Sequence, residues 1–505
     1  MSNIQHHRRK TSAVKALRQL TDWCRKLFGS RHAFTVILLL VAVQGLWYAL
    51  SFQPALFDES KHFEKTVIHS QTPSPFLGEQ QPEWDHTGAV SRDGAFLFYF
   101  LTGRLLNIIS FFTDDISTQL IWLRLACLLC FVAGFYVYRK MLLASKLPGA
   151  NAATVNIVLL FFALTPAYAP LFGALNYDSL VFLLFGYILL LIVQLINQKK
   201  LDATKLTLVV ALALLTSVVK WTAIAHVAPA VLAILITLVA RHGLKGLFAK
   251  YWSGLKTAPL LATVVSMGLL VVGAALFVER PVMNTFSYGK PDPACAKVID
   301  YDRCMSHPDF AIYEAVAAKK PANFAPVSVY EYLFSYWLPR MIDTQTTLLP
   351  WNSTRLSPSL PVMHYLYFSF AIVSVLAIFA YLRILLRYTV GRVFGCIIML
   401  YVAILFVFLY SAYRQFAIPA AISARYLLPI YPLYLMCALL AIGWLLAEYR
   451  QARTLLFVAT LLLFTQGGGI ITQLLLTPTG WYRQDETVRE ANTTARSVIR
   501  PLVKE

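Results

Sequence analysis

At 505 residues, 58% apolar and 14% charged, with a net charge of +19, the chain lies far from the balance of a soluble globular protein. No soluble core absorbs that much apolar surface. The positive excess needs no nucleic-acid partner, because it is spread over short segments between apolar blocks, where it faces anionic lipid headgroups.

The apolar residues fall in blocks of about 17–25, the length of helix that crosses roughly 30 Å of hydrocarbon. A membrane barrel would need shorter, strictly alternating segments. The expected fold class is therefore all-α, a polytopic transmembrane helical protein with about eleven spans near 34-52, 118-138, 153-173, 179-196, 205-221, 223-240, 258-278, 362-382, 393-413, 426-446 and 454-475. A basic segment, 1-33, precedes this transmembrane domain of 34-475, and a charged tail, 476-505, follows it. The pair 205-221 and 223-240 leaves almost no room for a loop and reads either as two full spans or as a re-entrant hairpin.

Orientation follows from Lys and Arg, since short loops rich in them stay in the cytoplasm. Arg8, Arg9, Lys10, Lys15, Arg18, Arg25, Lys26 and Arg31 precede the first span, and later clusters occur around Arg139, Lys199, Arg241, Arg383 and Arg450. Eleven spans put all of these on the N-terminal, cytoplasmic side and leave the C-terminal tail outside. Residues 12-28 can form a basic amphipathic helix on the inner leaflet, with Val14, Leu17, Leu20 and Leu27 on its apolar side. A cleavable signal peptide is not expected, because the first apolar block follows a long basic segment without a small-residue cleavage site.

The first part of outer loop 53-117, residues 53-94, concentrates acids: Asp58, Glu59, Glu64, Glu79, Glu83, Asp85 and Asp93 are drawn from only 25 in the chain. Asp58 and Glu59 follow the first span closely and lie four and three residues before His62. On a helix this spacing brings the three near one face, which could hold a divalent cation or act as a general base. The alternative is that the two carboxylates cap a helix N-terminus and that His62 is a satisfied surface histidine. Trp84-Asp85-His86 has a similar double reading. The aromatic stretch from Gly94 to Phe112 is interrupted by Arg104 and Asn107 and reads as an interfacial helix, since a span there would invert every later basic cluster.

Ionisable residues in or beside spans are costly unless paired or facing a cavity. Arg124 lies near the outer end of the second span, Asp178 in an Asn-Tyr-Asp-Ser turn that is also a sound helix cap, and Lys220 in Val-Lys-Trp-Thr. The second outer loop, 279-361, holds Cys295 and Cys304, for which a short-loop disulfide is the preferred reading over two free thiols. Cys127, Cys130, Cys396 and Cys437 read as apolar fillers and Cys24 as a reduced thiol. Trp84, Tyr330, Tyr332, Tyr336, Trp337 and Trp351 are loop aromatics that could stack on sugar rings or belong to an interfacial belt. Late in the chain, Ser423-Ala424-Arg425-Tyr426-Leu427-Leu428-Pro429 puts an arginine at the outer mouth of a span, either snorkelling to the interface or gripping a phosphate through two parallel bonds.

In this order, the acidic pair after the first span, the interfacial helix, Arg124-Leu, Asn-x-Asp at Asp178, Lys220 and Arg425-Tyr-Leu-Leu-Pro resemble the GT-C-type integral membrane glycosyltransferases over residues 34 to about 446. The likeness is to an uncharacterised bacterial branch related to the protein mannosyltransferases and the lipid A aminoarabinose transferase. It implies an enzyme of the bacterial inner membrane that passes a sugar from a polyprenyl-phosphate carrier to a lipid, glycan or protein acceptor at the outer face, inverting the anomeric centre. By position, Asp58 and Glu59 would be the base or metal contact, Arg425 would meet the carrier phosphate, and Asp178 and Lys220 would form the second wall of the cavity. Arg124 and His62 would complete the substrate site. An Asp-x-Asp metal motif and a large soluble C-terminal domain are missing, so a divalent metal ion at Asp58 and Glu59 stays open. The rival class is a transporter, flippase or glycan polymerase of lipid-linked intermediates, for which internal repeats with broken helices would speak; no such repeat is seen.

Overall fold

The structure is a computed structural model that describes residues 19, 22–53, 58–76, 92–306, 315–346, 361–419, 422–468, 474–475, 477 and 479–503. Most of the first half of the expected amphipathic segment 12-28, the Trp84-Asp85-His86 stretch, and Trp351 lie outside the described residues. In chain order the principal helices are α1 (Arg31–Ser51), α2 (Glu59–Ser70), α3 (Leu97–Ser110), α4 (Ile116–Ala144), α5 (Ala152–Leu164), α6 (Asp178–Asn197), α7 (Ala203–Val219) and α8 (Ile224–His242). They continue with α9 (Leu244–Thr257), α10 (Leu260–Phe277), α11 (Leu338–Thr346), α12 (Pro361–Leu385), α13 (Thr389–Phe416), α14 (Tyr431–Leu445), α15 (Arg450–Gly468) and α16 (Glu486–Val503). Side-chain caps start several of them: Ser30 accepts from the Ala33 N–H, Asp115 from Thr118, Asn151 from Thr154 and Asp202 from Lys205.

The chain is an all-α, multi-pass membrane protein. Among the described residues, seven helical stretches are long and apolar enough to cross a membrane: Arg31–Ser51, Ile116–Ala144, Asp178–Asn197, Trp221–His242, Leu260–Tyr288, Tyr365–Leu385 and Thr389–Phe416. Three other expected spans are shorter apolar helices, because α5, α7 and α14 have 13, 17 and 15 residues.

Each of the three breaks has a local cause. The block 153-173 stops at Leu164 because Pro166 drives Thr165 into an extended conformation, and a 3-10 turn, Ala169–Gly173, replaces the missing helix. That turn presses against α1 so closely that a Cβ on Gly173 would lie 2.2 Å from the Gly45 carbonyl oxygen. The block 205-240 breaks at Lys220, whose φ of -149° is extended, and restarts through a 3-10 turn, Trp221–Ala223. The expected span 426-446 begins only at Tyr431, after the 3-10 turn Ala424–Leu427 and Pro429, so Arg425 sits in a turn and not on a continuous helix. Irregular backbone at this depth is tolerated because it is buried in protein. Residues 165–175 are all buried, and the Ala167 N–H donates to the Gln345 carbonyl.

The helix order brings the Ser51 end of α1, the start of α4, the turn after α5, the start of α6, the end of α7 and the turn before α14 to one end of the bundle, here the loop face. The tail returns there as well. Phe52 and Tyr482 form an antiparallel bridge, the Arg483 N–H donates to the Ser51 carbonyl at 2.8 Å, and Trp47 Nε1 donates to Asn492 in α16 at 2.8 Å. Aromatic rings fill the core between α4 and α6, with Tyr138 stacked on Phe182 at 4.4 Å. In the segment after α10, Cys295 and Cys304 are joined in a disulfide.

Candidate functional site at the loop face

Helix α2 is polar, yet it has a buried face: Glu59, His62, Thr66 and His69 recur at helical spacing and point inward. It lies across α3, and the crossing depends on Gly103, where an added Cβ would sit 2.8 Å from the Ser70 nitrogen and 2.9 Å from the His69 carbonyl carbon. Thr66 and Thr102 share a hydrogen bond at 2.9 Å. The two polar interruptions of the aromatic stretch close the C-terminal end of α2: Arg104 donates to the His69 and Ser70 carbonyls and Asn107 donates to that of Ser70.

Asp58 and Glu59 part company. Asp58 occupies the residue before α2 in the left-handed region, with φ of 61°; its side chain makes no cap bond and is 58% exposed, 3.6 Å from Lys61. Glu59 turns inward and is 1% exposed. Its carboxylate accepts from Arg124 Nε at 2.8 Å and Nη2 at 2.5 Å, and from the Leu175 N–H at 2.6 Å. Arg124 also donates to the Ala49 and Phe52 carbonyls at 2.8 Å each. The expectation that Asp58, Glu59 and His62 share one face thus holds for Glu59 and His62 but not for Asp58, because the left-handed residue turns away before the helix starts. Glu59 and Asp58 do not fit a shared metal ion, since both Glu59 oxygens are committed to Arg124. Among the described residues no group of three or more His, Cys, Asp or Glu is arranged to hold one.

At the start of α6, Asp178 is gripped from both sides. Lys220 Nζ donates to Oδ1 and Arg425 Nε to Oδ2, each at 2.6 Å. The three side chains are nearly buried, at 4%, 9% and 12% exposure. Tyr177 lies under both cations, with its ring centroid 4.6 Å from Lys220 Nζ and 6.0 Å from the Arg425 guanidinium, and Tyr426 lies 5.4 Å from Lys220. Each partner comes from one of the helix breaks, so residues 42 and 247 positions from Asp178 meet on one carboxylate. The resemblance put Asp178 and Lys220 together on a second wall and Arg425 apart from them at the carrier phosphate; the three side chains form one cluster.

His62 connects this cluster to α3. Its Nδ1 lies 2.8 Å from the Tyr99 hydroxyl and its Nε2 3.0 Å from the Asn176 side-chain nitrogen. Burial, with Arg425 and Lys65 nearby, holds the His62 ring well below its ordinary pKa. One turn on, Lys65 pairs with Asp93 at 2.5 Å, and Asp93 also accepts from the Ala95 N–H. Burial opposes both charges, but the pairing outweighs it, holding Lys65 above and Asp93 below its usual range. Lys65 and Tyr99 were not singled out from the sequence. The signal for them was the polar stripe of α2, which needs polar partners if it is buried.

This is a helical membrane protein whose ionisable residues gather where its short helices break off. No protein-family model and no curated protein matches the chain. A solved structure of an oligosaccharyltransferase from Archaeoglobus fulgidus, in complex with Zn and sulfate, aligns at 12% identity with a TM-score of 0.43, covering 86% of this chain and 53% of that one. The chain therefore spans about half the length of that protein.

Proposed function

We propose that the chain is a membrane glycosyltransferase of GT-C type, which moves a sugar from a polyprenyl-phosphate carrier to a lipid, glycan or protein acceptor. The loop face is the outer face of a bacterial inner membrane, and the N-terminus is cytoplasmic. The observation that carries this reading is the convergence of Lys220 and Arg425 on the single carboxylate of Asp178. This sets two cationic side chains side by side at low exposure, where the charge of a leaving phosphate would develop.

The reaction needs two things of the protein. Asp58, the carboxylate left free of buried partners, takes the proton of the acceptor hydroxyl as its oxygen bonds to the anomeric carbon. The bond from that carbon to the phosphate oxygen breaks, and its electron pair leaves on the phosphate, beside Arg425 and Lys220. Attack opposite the leaving group inverts the centre. Glu59 and Arg124 hold the start of α2 in place and take no proton in this scheme.

The test is transfer from a polyprenyl-phosphate sugar in proteoliposomes. Asp58→Asn should lower turnover by about 10²–10⁴-fold, the usual contribution of a general base, at unchanged melting temperature. Transfer at the parent rate by Asp58→Asn removes the assigned base, and absence of transfer by the parent protein with any lipid-linked sugar removes the reading.

A further inference from the structure

A run of hydrogen bonds from Asp178 to Tyr99 accommodates its protons in one direction only. The Asp178 backbone N–H can only donate, so the Asn176 side-chain atom 2.9 Å from it is the oxygen. The other arm of that amide is therefore the NH₂ group, and it meets His62 Nε2 at 3.0 Å. An NH₂ group offers no lone pair, so Nε2 must accept and bears no proton. A doubly protonated ring would set N–H against N–H at this contact.

The neutral ring then carries its proton on Nδ1, which lies 2.8 Å from the Tyr99 oxygen and donates to it. Tyr99 consequently has its own O–H left to give, and among the described residues none accepts it. The Tyr99 ring packs edge-on against Tyr177 at 6.4 Å, and Tyr177 is the ring that lies under Lys220 and Arg425, which puts Tyr99 next to the cation cluster. A donor whose direction is forced, beside Arg425, suits an acceptor with no proton of its own. A phosphoryl oxygen is such a group, whereas a sugar hydroxyl can turn either way.

We infer that Tyr99 is an obligate hydrogen-bond donor to an anionic phosphoryl oxygen of the bound prenyl phosphate, and that His62 and Asn176 are positioning residues that keep its proton pointing there. The choice of ligand rests on the transferase reading; the direction of the proton does not.

The experiment combines binding with a spectroscopic readout. Farnesyl phosphate and inorganic phosphate are titrated into the purified parent protein, Tyr99→Phe and His62→Gln, and ¹⁵N spectra of the histidine rings are recorded, with His62 assigned by its loss in His62→Gln. The expected result is farnesyl phosphate binding that weakens about tenfold or more in Tyr99→Phe, the worth of one hydrogen bond to a charged group. The parent spectrum should show His62 protonated on Nδ1 and bare on Nε2. A ring protonated on Nε2 overturns the inference, and this spectrum decides it even where Tyr99→Phe does not fold. Equal affinity of the parent and Tyr99→Phe for farnesyl phosphate overturns the inference and leaves the transferase reading standing. Inorganic phosphate binding as tightly as farnesyl phosphate overturns the lipid source of the phosphoryl group. A parent protein that binds neither overturns the ligand assignment and the transferase reading together.

Discussion

Glu59 and Arg124, 65 residues apart in the chain, meet through two parallel hydrogen bonds of 2.8 and 2.5 Å with both side chains at most 3% exposed. The pair also takes the Leu175 N–H and the Ala49 and Phe52 carbonyls, so it ties α2 to the ends of α1, α4 and the turn before α6. Removing one partner leaves a buried charge alone. Glu59→Gln should therefore cost about 3–5 kcal/mol, seen as a large drop in melting temperature in detergent. Arg124→Lys should also destabilise, because an ammonium cannot reproduce the two-pronged contact. A Glu59→Gln protein as stable as the parent would show that the pair holds nothing together.

Asp178→Asn removes the carboxylate that Lys220 and Arg425 share. Two buried cations would then lose the carboxylate they share, and the variant should melt at a lower temperature than the parent. Added phosphate, at constant ionic strength, should raise its melting temperature more steeply than that of the parent, since a ligand that binds only the folded state stabilises in proportion to the logarithm of its concentration. A flat phosphate response would count against an anion-holding site.

Acid should weaken the α2 and α3 pair. The His69 ring is buried against Tyr99, with centroids 6.2 Å apart, and its Nε2 has no partner among the described residues. Burial, with Arg280 nearby, lowers its pKa to about 3. Unfolded histidine takes up a proton near pH 6.5. The stability contributed by neutral His69 is thus fully present above about 6.5 and is lost as pH falls from there toward about 3, at up to roughly 1.4 kcal/mol per pH unit. His62, lowered in the same sense, adds to the loss. Melting temperatures between pH 7.5 and 5 should fall, and His69→Phe should flatten the slope; an unchanged slope in that variant would assign the effect elsewhere.

Gly103→Ala tests the crossing of α2 and α3. The new methyl would meet backbone atoms of Thr66, His69 and Ser70 at 2.8–3.0 Å, which cannot swing aside as a side chain would. The expected cost is about 1–3 kcal/mol, with the Thr66 to Thr102 bond lost. Because that shift moves His62 away from Tyr99, prenyl phosphate binding should weaken as well. A variant that keeps both stability and binding would mean that the helices part without disturbing the site.

Much of this molecule is determined by sequence alone, because its solvent is a bilayer. Long apolar blocks can satisfy their backbone there only as helices, so the all-α multi-pass character is a local property of composition. Asp58, Glu59, Arg124, Asp178, Lys220 and Arg425 also stand out one by one, since a charge in or beside an apolar block demands a partner. Tertiary structure alone decides which partner. Glu59 and Asp58 are neighbours in the chain, yet one is consumed by Arg124 and the other is exposed, because Asp58 itself is left-handed and turns away before the helix begins. The blocks that hold α5 and α14 likewise read as full spans, and the fold shows that one stops early and the other starts late. Hydropathy averages over the break, whereas the contact of Asp178 with Lys220 and Arg425 depends on where in space the three chain ends come to rest.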